Sequence, residues 1–472
     1  MLSRKRGLWR VALLALPFSF VSCYRYQARP LAPQGVERQY RSRTLADAGL
    51  KEFLQAQVEG RPPSWPANKL NLDTLTLVAF YFHPDLDVAR ARVAAAEASI
   101  TTASTMPNPA AGGAGGYTNA ERAPYVLKFS LDWTIETAGK REYRTQQAKN
   151  LTEAARFSLA ETAWQVRSRV RSALLDHLLA TRELELLQRE LETRTEALAL
   201  YEERLKAGEI SRPEADIIRT SLTSLEVTRQ RTVSRERETQ TALETAVGLA
   251  PGALMGIQLV WDSLESPPDK EVLPLRNVQR AGLLNRLDVQ RLLAEYAASE
   301  NALQLEAARQ YPDIHVAPGY EFAEGFNNYF IGPSSLLPVR DRNKGPIAEA
   351  EAHRSETASR FLALQTAAID QIDRALTRYG GALADFRDAD SRLKTLLESR
   401  ERAIREQIQA GEADQLALIG VRLESVTAAA ARLNALREAQ IALGALEDAV
   451  QYPLESGVAL PPVPQANPRR SQ

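Results

Sequence analysis

The sequence predicts a mainly α-helical chain with a membrane β-barrel portion: long antiparallel coiled-coil hairpins plus four β-strands. Three observations predict it. Residues 140–207 contain neither glycine nor proline, and at about 1.5 Å per residue such a run makes a helix roughly 100 Å long. Residues 125–136 alternate apolar and polar side chains and are rich in aromatics, the pattern of a half-buried or membrane strand. Landmarks also recur at one offset: Asp87 and Asp288 are 201 residues apart, Pro109 and Pro312 are 203 apart, and Gly208 and Gly411 are 203 apart. The chain is therefore a duplication, with the same order of elements in each half.

Taken in order, the N-terminus reads as an export signal. Arg4, Lys5, Arg6 and Arg10 surround the start of a mostly apolar stretch, residues 8–21. That stretch is too short for a comfortable helical span and suits a signal-peptide core. It ends Phe20-Val21-Ser22-Cys23, similar to a bacterial lipobox, and Cys23 is the only cysteine in the chain. Residues 1–22 are expected to be a signal peptide and Cys23 a lipid attachment site. An ordinary signal peptide with an incidental cysteine is the alternative. Residues 23–70 are expected to form a polar, lipid-anchored segment that wraps the helical part. The first repeat is placed at 71–262, the second at 263–452, and a proline-rich disordered tail at 453–472.

In the first repeat Leu159, Ala163, Val166 and Val170, then Leu191, Leu198, Tyr201 and Leu205, follow heptad spacing with charged flanks. That is a coiled-coil seam. Gly208 followed by Pro213 reads as a tight turn, so the next glycine-free stretch, residues 214–247, folds back antiparallel. The second repeat has Leu383, Phe386, Leu393, Leu397, Ile404 and Ile408 on its outgoing helix. Gly411 turns it, and Leu416, Ile419, Leu423, Val426, Ala430 and Leu433 return. Gly380-Gly381 costs about 2 kcal/mol against alanine in a helix, so a kink or break is expected there.

The best strand, residues 125–136, places Tyr125, Leu127, Phe129, Leu131, Trp133 and Ile135 on one face. Lys128, Ser130, Asp132, Thr134 and Glu136 stand on the other. This suits a membrane strand with Leu127, Phe129, Leu131 and Trp133 toward lipid and the polar row toward a lumen. Ile314, Val316, Tyr320 and Phe322 alternate similarly in the second repeat. Residues 110–118 and 328–337 are weaker strands because of their glycines and Pro333. A small soluble β-subdomain is the alternative.

Composition excludes several function classes. Basic and acidic residues number 59 each, so no net positive field attracts nucleic acid. Beyond the N-terminus no apolar run reaches the roughly 18 residues of a spanning helix. His83, His177, His315 and His353 lie on separate elements with no metal-ligand spacing. The Gly112-Gly113-Ala114-Gly115-Gly116 run lacks the lysine of a phosphate loop. No catalytic constellation is present, so an enzyme, a cofactor and a metal site are not expected.

The two hairpins ending in Gly208-Glu209 and Gly411-Glu412, the two strand pairs and the lipobox together resemble the TolC-like outer-membrane efflux proteins. Residues 337–345, Leu-Pro-Val-Arg-Asp-Arg-Asn-Lys-Gly, look like that family's link from the fourth strand to the second long helix. Glu136-Thr137-Ala138-Gly139-Lys140-Arg141 is similar to the matching link in its heavy-metal branch. The resemblance covers roughly residues 70 to 452. It implies a homotrimer with an α-helical periplasmic tunnel. Four strands cannot close a barrel by themselves, and three chains supply about twelve. It also implies a passive outer-membrane duct of a tripartite efflux or type I secretion system, fed by an inner-membrane pump through a periplasmic adaptor, with outer-membrane lipid around it. Adaptor docking is expected at Gly208, Glu209, Gly411 and Glu412. Glu214, Asp216 and Asp414 are candidates for an acidic gate, with ordinary solvated helix ends as the alternative. Ala417 and Gly420 occupy the second-repeat positions where acids would be sought. Two other readings remain: a periplasmic coiled-coil adaptor or scaffold lipoprotein, and a lipoprotein enzyme. No motif identifies the cargo.

Overall fold

The computed structural model describes residues 25–57, 68–119, 124–269 and 286–454. The expected signal peptide, Cys23 and the tail beyond residue 454 lie outside the described residues. The chain divides into two compact units, residues 1–42 and 43–472. In the first, α1 (Pro33–Arg41) starts on a proline and ends on Arg38 and Arg41. This order suits the free N–H groups at its start and the partial negative charge at its end.

The second unit begins with α2 (Ala48–Gln57) and a two-residue strand, β1 (Lys69–Leu70). Leu50, Phe53, Leu54 and Leu70 are buried in the main core. Residues 43–70 therefore belong in part to the core, rather than being a purely polar wrapping. Arg43 fixes the entry by donating to the carbonyls of Phe82 (3.0 Å) and Gly248 (2.8 Å). Helix α3 (Leu72–Phe82) is buried at nine of its positions and is capped by Asn71, which accepts from Thr74 N–H at 2.9 Å. His83 then caps α4 (Pro84–Ser104), its Nδ1 accepting from Asp85 N–H at 3.2 Å. Burial and the nearby Arg169 hold the His83 pKa below its ordinary value.

Strands β2 (Ala110–Tyr117) and β3 (Tyr125–Ile135) lead into α5 (Lys140–Lys206), an unbroken helix of 67 residues. The turn after Ala207 leads to α6 (Arg212–Val247), which returns antiparallel along α5. Glu202–Arg219 (2.8 Å) and Glu183–Arg235 (3.3 Å) record the opposite directions. Strand β4 (Gln258–Leu259) pairs parallel with β1, and α7 (Asp262–Glu265) closes the first half. In the second half α8 (Leu287–Ala308) lies along α5 through Arg291–Glu161 (3.2 Å). Strands β5 (Ile314–Ala323) and β6 (Phe326–Ser335) follow, joined by Glu324-Gly325, both with positive φ as a two-residue hairpin turn requires. Helix α9 (Lys344–Arg387), a π turn (Asp388–Leu393) and α10 (Lys394–Gln409) make the second outgoing arm, and α11 (Gln415–Val450) returns.

The expected break at Gly380-Gly381 does not occur: α9 runs through both glycines. Buried Tyr379, Leu383 and Phe386 on either side hold the helix on its partner, and this packing outweighs the glycine cost. The irregularity lies at the π turn instead. Its extra residue changes the rotation of the side chains around it, and Leu393, counted on the seam, is 37% exposed.

Three apolar clusters hold the helices. The largest joins α2, α3, α4, α5 and α6, with Val166, Val170, Leu174 and Leu178 from α5. The second joins α9 to α11 through Tyr379, Leu383, Leu443 and Leu446. The third joins α5 to α11, through Leu175 and Leu179 against Leu436 and Ala439.

Candidate functional site: the sheet and the hairpin tips

The strands form one antiparallel sheet in the order β2-β3-β5-β6. Each repeat supplies a hairpin, and the repeats meet at β3–β5. The pairing is Leu127 with Phe322, Phe129 with Tyr320 and Trp133 with Val316. The ladder skips Leu131 and Asp132, opposite Pro318 and Ala317, because Pro318 has no N–H to give. Pro333 and the four β2 glycines stand on the outer strands, where weak formers are tolerated.

One sheet face is apolar and open. Leu127, Phe129, Trp133 and Ile135 are 57, 52, 50 and 52% exposed. Leu131 is half-buried on the same strand. The opposite face is polar and internally paired. Lys128 meets Glu321 at 2.9 Å, and His315 Nδ1 lies 3.2 Å from Asp132 and 3.3 Å from Thr134 Oγ1. Glu136 accepts from Arg144 at 2.7 Å. Ser130 lies opposite Gly319, which Phe330 covers: a Cβ there would run into its ring. Thus Lys128, Ser130, Asp132, Thr134 and Glu136 share their side with an aromatic ring that the alternation count did not include.

The tips repeat one device. Gly208 (φ +75°) and Gly411 (φ +78°) end α5 and α10 in left-handed conformation, with open space where a Cβ would stand. Glu209 N–H and Glu412 N–H reach back to the carbonyls of Arg204 (2.9 Å) and Gln407 (2.8 Å). Glu214 closes a capping box with Ser211, and Asp216 pairs with Arg219 at 2.9 Å. Asp414 caps α11 through Ala417 N–H (2.9 Å) and accepts from Arg204 of the other hairpin at 2.7 Å. The Ala417 N–H bond and the Arg204 contact hold its carboxyl below the ordinary range. The three acids expected at a gate are thus each held by caps or arginines within the chain. The two tips of one chain stand side by side.

A buried polar cluster lies between α5 and α11. Glu447, 1% exposed, accepts from Arg167 Nη1 at 2.7 Å and from Leu454 N–H at 2.6 Å. Arg171 donates to the Gln440 carbonyl (3.0 Å) and side chain (2.6 Å). Sequence reasoning did not identify this cluster. The signal was present: continuing the α11 seam past Leu433 reaches Gln440, Gly444 and Glu447 rather than apolar residues. Among the described residues no group of three His, Cys, Asp or Glu side chains is placed to hold a metal, and no helix is long and apolar enough to cross a membrane.

Residues 82–249, spanning α4 to the end of α6, match the family model "Outer membrane efflux protein". By this match the first repeat is similar to the outer membrane efflux proteins. The chain is 24% identical over 303 residues to the cobalt-zinc-cadmium resistance protein CzcC of Cupriavidus metallidurans, covering 64% of this chain and 71% of that one. Its fold is shared by the outer membrane protein VceC of Vibrio cholerae, with a TM-score of 0.63 and 18% identity over 80% of this chain and 95% of that one. It is shared too by the CmeC outer membrane channel of Campylobacter jejuni, with a TM-score of 0.64 and 16% identity over 82% and 86%. The family match ends at the close of the first hairpin. The shared fold continues through the second.

Proposed function

We propose that this chain is the outer-membrane channel of a tripartite efflux system, passively conducting substrate delivered by an inner-membrane pump and a periplasmic adaptor. The observation that carries the reading is the sheet: an exposed apolar row on β3, a polar row behind it, and two edges left unpaired among the described residues. Lipid accepts the apolar row but no open strand edge. Three copies joined edge to edge give about twelve strands, a size at which a barrel closes around a water-filled lumen. Lys128, Ser130, Asp132, Thr134 and Glu136 would then line the lumen, and Leu127, Phe129, Leu131 and Trp133 would meet lipid. The α5–α6 and α9–α11 hairpins would continue as a periplasmic tunnel whose tips dock the adaptor. Acylated Cys23 would add a lipid anchor; labelled palmitate entering a Cys23→Ser chain would refute that anchor. The likeness to CzcC supports metal cations as cargo. The coiled-coil scaffold reading leaves the exposed aromatic row on β3 unexplained.

The test is purification of the full chain from membranes in detergent, followed by bilayer recording. A heat-stable trimer with discrete conductance is expected. A monomer that leaves with the soluble periplasmic fraction refutes the channel.

A further inference from the structure

Where β3 runs into α5 there is an open cleft of about 1010 Å³. One wall is apolar and continues the exposed row of the sheet: Trp133 and Ile135, with Val316 in register opposite Trp133. The other wall is the opening of α5, where Arg141 and Lys149 line the cleft and are exposed. Of the other charges nearby, Lys140 is taken by Asp313 at 2.7 Å and Arg144 by Glu136 at 2.7 Å, while exposed Glu142 adds one acid to the lining. No ion pair within 4.0 Å engages Arg141 or Lys149 among the described residues. Arg141 and Lys149, just over two helical turns apart on α5, thus line a cleft whose other wall is apolar.

We infer that this cleft seats an anionic phospholipid, with Arg141 and Lys149 on the phosphate and Trp133, Ile135 and Val316 against the upper acyl chains. The inference rests on the reading that the sheet spans the membrane, which sets this junction at the periplasmic interface. Aromatic and basic side chains are favoured at that depth. Charge complementarity selects an anionic lipid over a zwitterionic one. A second copy of the chain is the weaker occupant, because Trp133 and Val316 stand on the two inner strands and not on the open edges.

The test uses the full chain in its native assembly, purified in detergent and analysed by native mass spectrometry with added phosphatidylglycerol or phosphatidylcholine. The wild type is expected to retain phosphatidylglycerol preferentially. The Arg141→Gln/Lys149→Gln pair should lower that affinity roughly ten-fold and leave phosphatidylcholine unchanged, as expected for two cations near an anionic surface. Lys206→Gln at the far end of α5 should change neither. Equal retention of both lipids, wild-type retention by the double variant, or displacement of the lipid by inorganic phosphate overturns the site. Disassembly of the double variant assigns the cleft to a second copy and also overturns it. A chain that fails to insert into phosphatidylethanolamine–phosphatidylglycerol vesicles refutes the membrane sheet. One that inserts without lipid preference refutes only this site.

Discussion

Glu447→Leu tests the contact that ties the two hairpins together. Glu447 and Arg167 are each 1% exposed, and the carboxylate spans both guanidinium nitrogens at 2.7 and 3.4 Å. Without Glu447, Arg167 keeps a buried charge whose remaining neighbour is the face of Trp164, 5.1 Å away. Arg171 is better placed, because Gln440 still accepts from it. Removing one partner of a buried pair costs about 3–5 kcal/mol. Replacing both partners removes the stranded charge, so Arg167→Met/Glu447→Leu should lose about 2 kcal/mol less than Glu447→Leu alone. The double variant keeps the loss of the acceptor for Leu454 N–H, about 1–3 kcal/mol. The assay is urea unfolding of detergent-purified protein followed by circular dichroism, under conditions where refolding is complete. A Glu447→Leu cost below about 1 kcal/mol would refute the reasoning, since that is the scale of an exposed pair. So would a double variant whose loss equals the sum of the singles.

Three further outcomes are expected. Leu131→Arg should destabilise the inserted barrel by about 2–4 kcal/mol, while Ser130→Arg should change conductance and leave assembly intact; equal loss of assembly, read on trimer gels, argues against a membrane strand. Gly411→Val, strained by about 1–2 kcal/mol in a left-handed turn, should lower export while outer-membrane trimers persist, and Gly411→Asn should export normally; full export by the valine variant removes the tip from adaptor docking. The Asp414 carboxyl has a lowered folded-state pKa, so its contribution is complete above the ordinary value near 4 and is lost as pH falls through the lower folded value. Spin labels at Lys206 and Gln409 should therefore report an unchanged tip distance from neutral pH down to about pH 4, and separation below it. A transition near pH 6 would assign the contact to another group.

What the sequence revealed depended on whether one local rule governed a segment. Residues 125–135 follow a period of two, and 140–206 follow heptads without a breaker, so both elements emerge within a residue or two of their ends. Gly208 and Gly411 were legible because a left-handed turn needs them. Gly380-Gly381 misled because propensity is a local cost, while Tyr379 and Leu383 pack on a helix more than 50 residues away in sequence. The π turn and the β1–β4 pairing have no period to detect. At the tips the acids are legible as gate candidates, but not that Glu214 and Asp414 are caps or that Arg204 reaches across from the other hairpin. That last contact joins residues 210 apart in the chain, and only the fold brings them together.

The strand order has a consequence for how such a ring could arise. Within the chain, the second strand of the first repeat pairs with the first strand of the second. The open edges are the first strand of one repeat and the second strand of the other. Joining neighbours edge to edge would therefore repeat, between chains, the junction that β3–β5 makes inside one. Every seam of the closed ring would be of one kind, half of them covalently tethered and half not. A gene for one repeat could have assembled the same ring from six copies, and duplication would then have converted alternate subunit boundaries into linkers. In such a ring the tethered repeats would be free to diverge at their tips, while each seam would still have to match.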